Sequence, residues 1–354
     1  MDDKIKIAYI GAKYDPFKNK KAYNHEYLTF YDTLTKMENH KHEIFPFFFD
    51  EVLNKYGKKM NQMLLEFIKE KSPDLCFFLV SYEMNKNTIN EITKYTNTFN
   101  WFTDDTWQFE IFSKNYAPLF DYVGTTDIES IAKYHKIGYK NVIKTQWGYN
   151  HYKYKPISNK NNYGTTFIGQ KYGNRSELID YIKSNGIKIN CYGGGWENGR
   201  VSEHQMNVIF TNSEINLNFA DSSYAPLHLE IPGIILRKDR LGKIHVREPV
   251  EWLPRTRLIF SKRVPQIKAR VFEVPGCGGL LLTTNVNFID QYYIPDKEII
   301  LFDNEEDMIE KINHIHNELD EKERKKIAVA GYKRSLSEHT YEKRFKEIFK
   351  KMNL

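Results

Sequence analysis

Gln266-Ile-Lys-Ala-Arg-Val-Phe-Glu-Val-Pro-Gly-Cys-Gly-Gly-Leu-Leu-Leu-Thr-Thr284 is the stretch from which the rest of the chain can be read. Apolar residues at helical spacing lead to Glu273, glycines follow, and an apolar run then enters a buried strand. The pattern predicts a helix over 262–273 and a strand over 279–283. A helix, a tight turn and a strand in that order belong to an open α/β fold, whose ligands lie at the carboxyl ends of the strands. Glu273, at the expected end of its helix, is then placed to receive a pair of hydroxyls. The amides around Gly276 and Gly278 add a local attraction for anions.

Outward from this stretch the same alternation fills the chain. Strands are expected over 4–11, 43–49, 75–80, 99–102, 122–125 and 142–145, with helices over 24–36, 61–71 and 87–96 between them. Trp147-Gly-Tyr-Asn150 leads into 153–163, a polar stretch rich in Pro and Asn without apolar period, which reads as a linker. The pattern then restarts: strand 165–169, helix 176–185, strand 187–192, glycine turn 193–195, helix 203–212, strand 215–219. Residues 226–252 interrupt it with an expected hairpin, Ile234 and Leu236 against Ile244 and Val246 around Asp239-Arg-Leu-Gly242, basic on its polar face. Helices over 305–319, 323–336 and 341–352 complete the chain, the last with Phe345, Ile348 and Phe349 on one face. Alternation at this spacing predicts parallel sheets covered on both faces, in two similar units.

Composition agrees. The 354 residues suit two domains, and 41% hydrophobic with 28% charged residues describes a chain able to bury a core. A net charge of +6 favours anionic ligands such as nucleotide diphosphates, or loose contact with anionic lipid, without demanding nucleic acid. The densest lysine clusters (18–21, 322–326, 343–351) read as solvated loop or helix faces. Cys76, Cys191 and Cys277 have no paired spacing, which excludes a disulfide framework and a zinc site. With no leader and no apolar run of about 18 residues, the expected location is the cytoplasm. There is no Ser/His/Asp set, no Walker loop and no histidine at a convincing catalytic position.

The run Ile267-Lys-Ala-Arg-Val-Phe-Glu273, continued by Pro275-Gly-Cys-Gly-Gly279, resembles the signature segment of the CgeB-like (spore maturation protein-like) glycosyltransferases. The resemblance is strongest over 165–345 and thinner before Trp101. It implies the GT-B fold: two Rossmann-like doubly wound domains facing a central cleft, with the C-terminal helix crossing back to the first. On that plan 1–155, with the terminal helix 341–354, is the acceptor-side domain, and 160–340 binds the nucleotide sugar. The implied activity is transfer of a sugar from a nucleotide-diphosphate donor to an acceptor hydroxyl, retaining and metal-independent, with no tightly bound cofactor. In the related Glu-x7-Glu motif the second Glu binds the donor ribose, and Glu273 aligns with it. The first Glu is replaced by Pro265, which removes an expected contact to the donor sugar.

Further donor contacts come from strand ends. In Phe167-Ile-Gly-Gln-Lys-Tyr-Gly-Asn-Arg175, a strand ends at Gly169, a loop with Gln170 follows, and Arg175 opens a helix. Helix N-termini bind phosphate, and an Arg there adds a two-pronged anion clamp. Lys268 and Arg270 are the other cations near Glu273, one of them expected to face solvent. In Tyr192-Gly-Gly-Gly-Trp196, Gly193 and Gly195 let backbone approach a planar base, with Trp196 near it. In the first unit, Asn100-Trp-Phe-Thr-Asp-Asp-Thr-Trp107 sets two acids between two indoles. Adjacent side chains on a strand point opposite ways, so one of Asp104 and Asp105 is the expected acceptor-side or general-base contact. Glu83 lies after a neighbouring strand and is a third candidate.

Three other readings stay open on the sequence: a nucleotide-sugar epimerase, a degenerate GT-B binding module without catalysis (favoured by Pro265), and a transferase acting on nucleic acid (suggested by the basic hairpin). The expected partners are a nucleotide-sugar donor and an unidentified glycan, lipid or protein acceptor. Nucleic acid is not expected, and peripheral membrane contact is allowed.

Overall fold

A computed structural model describes residues 4–15, 22–37, 42–220, 230–239, 242–262 and 264–354. Lys18, Lys20, Lys21, Pro226 and the hairpin-turn residues Arg240 and Leu241 lie outside the described residues. Contacts divide the chain into two units. The first is Met1–Gln146, Ile231–Ser261 and Glu342–Leu354, and the second is Trp147–Glu230 and Lys262–Tyr341.

In the first unit, β1 (Ile5–Gly11), β2 (His42–Phe48), β3 (Leu75–Phe78), β4 (Asn97–Phe102), β5 (Tyr122–Thr125) and β6 (Val142–Lys144) form one sheet in the order β2-β1-β3-β4-β5-β6. Every pairing is parallel. The central strand β3 is buried at all four positions, as a parallel strand covered on both faces must be. The direction of winding reverses between β1 and β3. The terminal helix Tyr341–Lys351 joins this unit through Phe345, whose ring lies 5.6 Å from Phe77, 5.7 Å from Phe30 and 6.0 Å from Trp101.

The second unit repeats that plan. It contains β7 (Thr165–Ile168), β8 (Ile189–Tyr192) and β9 (Ile215–Asn218). After the hairpin β10 (Leu236–Lys238) and β11 (Ile244–Val246) come β12 (Leu281–Thr284) and β13 (Ile300–Phe302). The sheet order is β13-β12-β9-β7-β8, all parallel, with the winding reversed between β7 and β9. Counted within the unit this is again 2-1-3-4-5, an order whose switch point forms a ligand crevice at the carboxyl edge.

Three expectations differ from the structure. The helix expected over 262–273 is instead Arg270–Gly276, with Glu273 inside it and Pro275 near its end. The Gln266 N–H donates to the Ala220 carbonyl just past β9, so 266–269 docks on the sheet end and the helix starts only afterwards. The 153–163 stretch is not a free linker. The Ile157 N–H bonds the Thr211 hydroxyl, the Asn159 N–H bonds Asn212, and Asn207 bonds the Lys153 carbonyl, so it lies along helix Glu203–Asn212. The hairpin segment Ile231–Ser261, which the sequence places in the second unit, packs with the first.

Candidate active site

In the second unit the loops after β7 and β8 are laced together. The Gly169 N–H donates to the Tyr192 carbonyl and the Lys171 N–H to the Gly194 carbonyl, both at 2.9 Å. The Trp196 indole N–H donates to the Gly169 carbonyl at 2.9 Å, and the Lys171 ammonium lies 5.1 Å from the indole centre. Gly193, at φ +125°, sits so close that a Cβ would stand 2.1 Å from the Gly169 carbonyl oxygen. This approach, rather than room for a base, demands glycine at 193. Trp196 is likewise a strut between the two loops. Gly195 (φ +91°) leaves room for Lys171, whose Cβ a side chain there would meet at 2.9 Å.

Arg175 opens helix Arg175–Ser184, whose N-cap residue Asn174 makes no side-chain cap. Helices Glu203–Asn212, Glu305–Asn317 and Glu321–Glu338 of the same unit are all capped by side chains, from Ser202, Asn304 and Asp320. The Arg175 guanidinium donates to the Gln170 carbonyl at 3.1 Å and lies 5.7 Å from the Phe167 ring centre. It is thereby held beside Gly169 at the end of β7, half-buried. A positive side chain and a helix start without a side-chain cap thus stand together at one strand end.

Glu273 is 2% exposed. Its carboxylate accepts from the Arg270 guanidinium at 2.6 Å, one helical turn away. Arg270 also lies over the Phe210 ring at 5.1 Å and against the Met206 sulfur. Of the two cations near Glu273, Arg270 therefore holds the carboxylate. Lys268 is half-buried on the stretch that docks against the end of β9. Gly276 and Gly278 have packing roles. A Cβ on Gly276 would meet the Tyr149 ring at 2.5 Å, and Gly278 (φ +72°) faces Pro156 at 3.1 Å.

In the first unit the two adjacent acids separate. Asp105 is fully buried and accepts from the Tyr134 hydroxyl at 2.7 Å. Burial pushes its carboxyl up to about 6, against hydrogen bonds from Ser113, Thr125 and Tyr134 that favour the charged form. Its expected surface role gives way to an interior one. Asp104 is half-buried and sits just past β4, where its carbonyl accepts from the Trp107 and Gln108 amides. Glu83, also half-buried, follows β3, and its carbonyl accepts from Asn61. Both lie at the carboxyl edge of the first sheet.

An aromatic ladder at the same edge escaped the sequence reading. Tyr14 stacks on Tyr23 at 5.7 Å, Tyr23 on Tyr27 at 4.8 Å and Tyr27 on Tyr31 at 5.2 Å, beside Phe48 at the end of β2. The repeat of Tyr at 23, 27 and 31, one helical turn apart, was the available signal.

Among the described residues, no group of three or more His, Cys, Asp and Glu is placed to hold a metal ion. None of their helices is long and apolar enough to cross a membrane.

Structural comparison places this architecture. The chain resembles Anabaena HepE, solved with UDP-glucose, at a TM-score of 0.61 over 99% of each chain and 10% identity. It resembles sucrose-phosphate synthase from Thermosynechococcus elongatus at 0.60, over 99% of each and 9% identity. A glycosyltransferase from Rickettsia africae matches at 0.57, over 99% of this chain and 98% of that one, with 11% identity. These likenesses fix the fold class as GT-B. Residues 175–350, which include Arg175 and the whole Gln266–Thr284 stretch, match the family described as Glycosyl transferase-like. The chain thus has the GT-B fold, and its second half matches a glycosyltransferase family. No curated protein matches it significantly in sequence.

Proposed function

We propose that this protein transfers a sugar from a nucleoside-diphosphate donor to an acceptor hydroxyl, within the CgeB-like branch of the family. The supporting observation is that Arg175 and the uncapped start of its helix stand at the end of β7, beside the switch point of the second sheet. The complexes of HepE with UDP and with UDP-glucose make a uridine diphosphate sugar the first donor to test.

On this reading Glu273 accepts the ribose hydroxyls and Arg270 positions its carboxylate. Arg175, with Lys268, meets the diphosphate. Charge grows on that diphosphate as the glycosidic bond breaks, so groups fixed beside it lower the barrier more than they aid donor binding. In the first unit Asp104 and Glu83 are the acceptor-side carboxylates, and the tyrosine ladder offers ring surface at the same sheet edge. Retention of anomeric configuration and independence of metal are part of the proposal.

Pro265, where relatives carry a sugar-binding Glu, favours one second reading, a binding module that holds the nucleotide without transfer. Incubation with labelled UDP-sugars separates the two. Release of UDP with transfer or slow hydrolysis, abolished in Arg175→Ala, supports catalysis. Nucleotide binding with no turnover under any acceptor mixture supports the module. An isomerised nucleotide sugar without acceptor would mark an epimerase.

A further inference from the structure

The segment Ile231–Ser261 concentrates two properties that the rest of the chain dilutes. Of the twenty large apolar residues exposed among the described residues, nine lie here: Ile231, Ile235, Leu236, Ile244, Val246, Val250, Trp252, Leu253 and Phe260. The same 31 residues carry seven Lys or Arg against three acids, so they supply four of the chain's six net positive charges.

Both elements of the segment are inverted relative to ordinary surface structure. In the hairpin, Leu236 pairs with Val246 and Lys238 with Ile244. Paired residues share a face, and all four of these side chains are exposed, Ile244 at 70% and Val246 at 72%. Arg237, on the other face, lies over the Tyr82 ring at 5.8 Å. The helix Trp252–Ser261 repeats the arrangement. Its inward side holds Leu258, Ile259 and Arg255, the last donating to the Tyr82 hydroxyl at 3.0 Å. Its outward side presents Leu253 (63% exposed), Arg257 and Phe260 (65%), at spacings of four and three residues, continued one turn earlier by Val250 (80%). Arg237 and Arg255 thus anchor the segment on Tyr82 while branched and aromatic side chains face water.

A contiguous stretch of exposed apolar residues marks an interaction surface. Its chemistry selects the partner. Net positive charge opposes a second copy of the same segment. Aliphatic side chains offer neither stacking surface nor base-edge hydrogen bonds, so nucleic acid would leave them in water. An anionic bilayer satisfies both parts, since apolar side chains enter the headgroup boundary while Lys and Arg meet lipid phosphates. We propose that this segment docks the protein on anionic membrane surfaces, with Ile244, Val246, Val250, Leu253 and Phe260 inserting and Lys238, Lys243 and Arg257 contacting headgroups. This inference is independent of the donor chemistry.

Flotation of the full chain with vesicles of phosphatidylcholine alone, or with 30% phosphatidylglycerol (a chosen probe), tests it. Binding is expected only to the anionic vesicles and is expected to weaken as salt rises. Arg257→Ala should weaken it about fivefold, the effect of one basic residue near a charged surface. Leu253→Ser with Phe260→Ser, and separately Ile244→Ser with Val246→Ser, should each lower it by tenfold or more from lost burial. These side chains are exposed, so an unchanged melting temperature and unchanged nucleotide binding identify the loss as one of docking. Failure to float, equal binding to neutral vesicles, or an affinity for DNA or RNA that the serine variants lose would each overturn the proposal. So would a concentration-dependent dimer in solution that the same variants dissociate.

Discussion

Asp105 offers a quantitative test of the interior assignment. It is fully buried, and burial pushes its carboxyl up to about 6 from the ordinary aspartate value of 3.8. A carboxyl raised in the folded state binds more protons there than in the unfolded chain between those values. Its contribution to stability therefore falls as pH rises through that window. At 1.36 kcal/mol per unit, the penalty for ionising Asp105 reaches about 3 kcal/mol at pH 8 and about half of that at pH 5. Asp105→Asn removes this titration while keeping the side chain's size. Urea unfolding of both proteins at pH 5 and pH 8 cancels every other titrating group. The wild type should lose about 1.4 kcal/mol relative to the variant between the two pH values. Transfer activity near pH 7 should fall less in Asp105→Asn than in Asp104→Asn. Parallel stability profiles would show that Asp105 titrates normally and is not sealed in the interior. A larger loss of activity at 105 than at 104 would return it to the reacting centre.

Other substitutions probe other parts of the account. Gly193→Ala places a Cβ 2.1 Å from the Gly169 carbonyl at a left-handed φ, so the β7 and β8 loops must part. A loss of about 2 kcal/mol in urea unfolding, with weakened nucleotide binding, is expected. Arg270→Ala leaves the Glu273 carboxylate buried without its guanidinium and should cost about 3–5 kcal/mol, while Arg270→Lys should recover part of it. Phe345→Ala empties the site between Phe30, Phe77 and Trp101 and should cost about 3–5 kcal/mol. An unchanged melting curve in that variant would detach the terminal helix from the first unit.

The periodic parts of this fold could be read from the chain because burial writes them directly. Tyr122–Thr125 and Glu203–Asn212 fall where the sequence placed them, the strand as a short apolar run and the helix between a capping Ser202 and the next strand. The passage before Glu273 could not, since Ile267 and Val271 keep helical spacing whether or not the backbone winds. A single hydrogen bond from Gln266 to Ala220, 46 positions away, decides against a helix there. Helix Phe49–Tyr56 was missed because Phe47, Phe48 and Phe49 read as one continuous strand.

At the site, Arg175 and Glu273 were visible as charges at ends of periodic segments. The pairing of Arg270 with Glu273 was open, because i,i+3 spacing permits contact without requiring it. One glycine misled in an instructive way. Gly193 read as room for a planar base, yet the Gly169 carbonyl occupies that space. A glycine reports that something approaches the backbone, and the sequence does not say whether the neighbour is a ligand or the protein itself.

The most direct test of the central claim is calorimetric titration of UDP and UDP-glucose into the wild type, Glu273→Gln and Arg175→Ala. Binding to the wild type is expected, with ligand at 100–1,000 times its dissociation constant raising stability by about 3–4 kcal/mol. Arg175→Ala should weaken UDP far more than uridine, because it acts on the diphosphate. Glu273→Gln should weaken both, because it acts on the ribose. Equal affinities in all three proteins would contradict the placement of the nucleotide at the carboxyl ends of β7 and β9.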